Sequence, residues 1–82
     1  MARPGRADSE NFGDLLHVAL ELQLRACALT RVGDPAGAAR AERRALLLLL
    51  HATRAVDEGD PVLGTVRALA GAGIARLRRL PG

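Results

Sequence analysis

Apolar residues recur every three or four positions along most of the chain, which predicts helices rather than strands. In the first segment Phe12, Leu15, Ala19, Leu22, Ala26 and Leu29 fall on one face. A second apolar row, Leu16, Leu20, Leu24 and Cys27, flanks it. Glu10, Asp14, His17, Glu21 and Arg25 make a narrow polar stripe, with Glu21 and Arg25 a favourably ordered pair. Asn11 is the expected N-cap, because Asp14 three residues on can answer the free N–H groups of the first turn. The first helix is therefore expected over about 11–32, behind a mobile tail at 1–8.

Gly33-Asp34-Pro35 reads as a joint. Gly supplies a left-handed stop, Asp caps the next helix, and Pro fits its first position. A second helix follows at about 35–57, with Ala38, Ala41, Ala45, Leu48, Leu49, Ala52 and Val56 on one stripe and Arg40, Arg43, Arg44 and Arg54 turned away. Five consecutive leucines, Leu46 to Leu50, sweep past a full turn, so this helix is apolar on more than one side. Gly59-Asp60-Pro61 repeats the joint and opens a third helix at about 61–80, built on Val62, Leu63, Val66, Leu69, Leu77 and Leu80. Gly71 and Gly73 interrupt it, each costing roughly 1 kcal/mol against Ala. A continuous but weak helix is expected there, its small residues permitting a close crossing. Arg76, Arg78 and Arg79 suit its C-terminal dipole.

The expected fold is all-α: a single domain over 9–82, as a three-helix up-down-up bundle completed by oligomerisation or a partner. Composition sharpens that last point. The chain has 82 residues, one Cys, one Phe, no Trp and no Tyr. A chain this short buries only about 60% of its unfolded surface. Neither a disulfide nor a cysteine zinc cluster can staple it, and aromatic burial adds almost nothing. The longest unbroken apolar run, Ala45 to Leu50, is far below the ~20 residues of a membrane span, and no secretory signal pattern opens the chain. A cytoplasmic protein without a transmembrane segment is expected.

Gly33, Asp34, Ala38, Glu42, Ala45 and Leu46 resemble the centre of a tetratricopeptide repeat, with Leu22, Ala26 and Leu29 at the bulky, small and bulky positions of its first helix. The likeness spans residues 19–52, about one unit. Glu42 stands where an aromatic is common, and Leu50 where the unit usually closes on Pro. Such arrays need about three repeats. The resemblance implies a protein- or peptide-binding adaptor.

Candidate chemistry is sparse. Arg44 and His51 share a helix face at the spacing used by HEPN-type ribonucleases, but Ala45 replaces the usual polar residue after the Arg. His17 between Asp14 and Glu21 matches a solvated helix face as well as it matches a metal site, and no second His or Cys completes a zinc set. Cys27 sits on an apolar row as a small hydrophobe. Neither cofactor nor metal nor small-molecule substrate is expected. Nor is enzymatic activity, since no nucleophile with a base, paired carboxylates or phosphate loop stands out.

Net charge is +3 and all twelve basic residues are Arg. Arg40, Arg43, Arg44, Arg76, Arg78 and Arg79 are candidate phosphate contacts, although no aromatic is available for base stacking. The first expectation is a non-enzymatic interaction or scaffold subunit. It would meet a protein partner or its own copy through Leu16, Leu20, Leu24, Leu47 and Leu50. The alternative is a basic helical subunit contacting nucleic-acid phosphates.

Overall fold

The computed structural model describes residues 4–81, with side chains from Phe12 onward. It contains three helices, α1 (Pro4–Arg31), α2 (Pro35–Arg54) and α3 (Val62–Arg79), and no strand among the described residues. The expected helical class is therefore correct. The helix boundaries differ in two places.

α1 begins at Pro4, well before Asn11, so most of the expected tail is helical and Asn11 is not a cap. Pro is well suited to a first turn, and nothing in the next residues stops a helix. Met1, Ala2 and Arg3 of the expected tail lie outside the described residues. At the other boundary, α2 ends at Arg54 rather than at residue 57. The Ala55 amide bonds the Ala52 carbonyl, tightening the last turn of the helix, and the Asp60 amide bonds the Asp57 carbonyl, closing a turn beyond it. Asp57 and Glu58 would have put negative charge on the negative end of the helix dipole.

The two look-alike joints behave differently. Gly33 adopts φ +83°, the left-handed stop the sequence predicts, and Asp34 Oδ1 accepts from the Gly37 amide at 3.0 Å to cap α2. Among the described residues positive φ is confined to Gly33, so Gly59 performs no such role. Asp60 Oδ1 accepts from the Val62 amide at 2.9 Å, while Pro61 stands just before α3.

α2 is the common neighbour, packing along both α1 and α3, whereas α1 and α3 approach one another much less. Ala19, Ala45, Leu49 and Val66 form one buried cluster, with Phe12, Leu16, Leu48 and Leu69 packed around it. Ala26, Ala38 and Ala41 form a second, against Leu22, Leu29 and Leu80. The core is thin, because six of the nine buried apolar residues are Ala. Seven larger apolar side chains, among them Val32, Leu24, Leu47 and Leu50, remain exposed. No helix is long and apolar enough to cross a membrane among the described residues.

Candidate functional site: an arginine-rimmed groove and a buried polar node

The five-leucine run divides by direction. Leu49 is buried, Leu46 and Leu48 are half-buried, and Leu47 and Leu50 are 59% and 54% exposed. Leu47 lies along an open groove of about 1070 Å³ between α1 and α2. Leu22, Ala28, Leu29 and Val32 line its α1 side, and Ala41 joins Leu47 on the α2 side. Leu24, 71% exposed, lines a second depression on α1 with Val18 and Glu21. Leu22 and Arg25 border both.

The anticipated contact face is thus only partly assembled. Leu47 lines the groove and Leu24 the neighbouring depression, while Leu20 and Leu50 are exposed outside both. Leu16 leaves the set, because it is half-buried and packs against the buried cluster of Ala19, Ala45, Leu49 and Val66. Val18, Val32 and Leu22 were not anticipated there; exposure on a helix flank is invisible until the neighbouring helix is placed.

The arginines sort in the same way. Arg40, Arg43 and Arg44 line the groove, joined by Arg25, which sequence reasoning had assigned to an intrahelical pair. That pair is absent among the described ion pairs: Glu21 instead meets His17, Nε2 to Oε2 at 3.3 Å. The one acid on the groove, Asp34, is engaged in capping α2. The rim is therefore basic, and its floor is apolar.

The α3 arginines do not extend this rim. Arg76 turns inward to Glu42, which is 2% exposed, with Nε–Oε2 at 2.5 Å and Nη2–Oε1 at 3.3 Å. The bond to Glu42 raises the guanidinium above its ordinary pKa, burial opposes the shift, and the negative charge of Glu42 reinforces it. Arg76 is thus engaged with Glu42 and lies away from the groove that gathers Arg40, Arg43 and Arg44. Arg79 borders a separate cavity of about 320 Å³ with Cys27 and Thr30, and Arg78 is exposed outside both.

Glu42 belongs to a node that joins all three helices. Gln23, buried on α1, donates from Nε2 to the Leu69 carbonyl of α3 at 3.0 Å. Gly73 sits between the two: a Cβ there would stand 3.1 Å from both Gln23 Nε2 and Glu42 Oε1. The glycine is what lets α3 close over two polar side chains. No buried side-chain polar atom among the described residues lacks a partner, so the node is satisfied. It locks the helices together and offers no open position for chemistry. Gln23 and Glu42 had no signal of their own except that each interrupts an apolar face.

Arg44 and His51 are both exposed, but only Arg44 borders the groove. No three His, Cys, Asp or Glu residues lie close enough to hold a metal among the described residues. No family model, curated protein or solved structure matches the chain.

Proposed function

We propose that this protein is a small non-enzymatic helical subunit that associates with another protein chain, or with its own copy, through the groove between α1 and α2. The observation that carries this reading is the imbalance of apolar side chains. Among the described residues only Leu49, Leu63 and Val66 are buried of the larger ones, against seven exposed. Exposed apolar surface in excess of what a small core buries marks an association site, and Val32 and Leu47 place part of it on the groove. In this reading the helices run up, down and up about α2, and association completes a core that Ala leaves thin. The single tetratricopeptide-like hairpin over residues 19–52 supports the adaptor character. The close approach that such a hairpin needs is supplied by Ala26 against Ala38 and Ala41. Val32 and Leu47 line the groove where a helix from the partner would lie.

The second reading, a subunit resting on nucleic-acid phosphates, draws on the gathering of Arg25, Arg40, Arg43 and Arg44 along the groove. It uses the rim but leaves the apolar floor without a role. Light scattering of the purified protein at low and high salt separates the two. A species larger than a monomer at both salts, lost on Leu47→Glu, is expected for association through apolar contacts. A folded monomer that is retained on a polyanion, weakens steeply with salt, and is released by Arg40→Ala with Arg44→Ala would replace the first reading by the second.

A further inference from the structure

We infer that the partner is a second copy of the chain, and that the exposed stripe of α1 closes on the same stripe of that copy in antiparallel orientation about a two-fold axis level with Gln23. This rests on the reading of the protein as an association subunit and names its partner.

The stripe is Asp14, Val18, Glu21, Arg25, Ala28 and Val32, every one of them exposed. Its spacings alternate four and three, which keeps the six positions on one face of the helix. They also read the same in both directions, which is what a two-fold interface requires, since each contact then occurs twice. With the axis level with Gln23, Glu21 lies opposite Arg25 of the second copy, and Arg25 opposite Glu21 of the second copy. Val18 faces Ala28 of the second copy, and Asp14 lies over its turn at Val32.

Charge selects this orientation. A parallel pair would set Glu21 against Glu21 and Arg25 against Arg25, whereas the antiparallel pair matches both. The match extends past α1. Arg40 and Arg44 border the groove that also holds Val32 and Arg25, so the acidic half of one copy's stripe lies over the basic half of the other. Arg25 makes no ion pair among the described residues, and Glu21 is engaged only by the exposed His17. Both side chains are thus available across the seam. Val18 and Val32, 41% and 77% exposed, supply apolar cover at either end. From Asp14 to Val32 the stripe extends roughly 27 Å at the helical rise.

The test is a charge exchange in the full chain, read as dimer dissociation by sedimentation equilibrium, with circular dichroism confirming that the helices remain. Glu21→Arg alone and Arg25→Glu alone are each expected to weaken dimerisation by about tenfold or more. The double variant, which restores opposite charges across the axis, is expected to return to within about threefold of the original. A dimer lost on Leu47→Glu yet indifferent to both single exchanges, or a double variant no better than the singles, would overturn this interface while leaving association through the groove standing. A wild-type chain that stays monomeric at every concentration would overturn both.

Discussion

Glu42 shows how one residue can hold a small fold to a single arrangement. Its carboxylate is almost wholly buried, and Arg76 supplies its opposite charge from the next helix. Replacing Arg76 by Met leaves that carboxylate uncompensated, and the expected loss is about 3 kcal/mol in urea unfolding. Glu42→Met in the same chain should recover most of it, because an apolar pair fits the site without desolvating charge. A single Arg76→Met variant as stable as the wild type would remove the pair from this role. The two central glycines of α3 make a second contrast. Gly71 has open space where a Cβ would stand, so Gly71→Ala should stabilise by up to about 1 kcal/mol through helix propensity. Gly73→Ala would press its Cβ against Gln23 and Glu42, and should destabilise despite the same gain in propensity. Thermal unfolding of the two variants, shifting in opposite directions, checks this; two upward shifts would show that α3 does not need the close approach.

The joints between helices carry their own prediction. Gly33 and Gly59 occupy the same place in two identical tripeptides, but only Gly33 is left-handed. Gly33→Ala is expected to cost about 1 kcal/mol, the strain of an L residue in that region. Gly59→Ala should be neutral or slightly stabilising, since nothing lies within reach of its Cβ and Ala restricts the unfolded chain. Equal losses at both sites would mean that the second joint is also a left-handed stop. The asymmetry arises because α2 stops early at Arg54 and the chain turns through residues 55–61 before α3 starts. Asp34 should contribute about 1 kcal/mol through its bond to the Gly37 amide, measurable as the stability lost in Asp34→Ala.

For the whole molecule the governing quantity is how little large apolar surface three helices bury. Ala residues bring the helices close, but each contributes little burial free energy. The exposed Leu and Val side chains compensate only if another chain covers them. Stability is accordingly expected to rise with protein concentration, by mass action on the associated form. Thermal melts over a hundredfold range of concentration would show the midpoint climbing, and Leu47→Glu should abolish the climb. A midpoint independent of concentration in the wild type would mean that the monomer is sufficient.

The three helices were legible in the chain because a 3.6-residue period and a Gly-Asp-Pro joint are local facts. The inward stripe of α2 was legible for the same reason: Ala38, Ala41, Ala45, Leu49 and Ala52 are all buried where the pattern placed them. The exposed apolar surface was legible only in part. The pattern marked Leu24 and Leu47 as surplus but could not tell them from Leu16, which packs against the buried cluster. Nor could it tell Arg76, drawn inward by Glu42, from Arg44 on the groove. Those outcomes depend on which helix stands opposite, and a polar residue is buried only where a partner comes to meet it. Sequence alone determined where the helices lie and which stripe of each turns inward, since both follow from neighbours in the chain. Only the tertiary structure decided which leucines and arginines were left over at the surface, because exposure belongs to the packed fold and not to the residue.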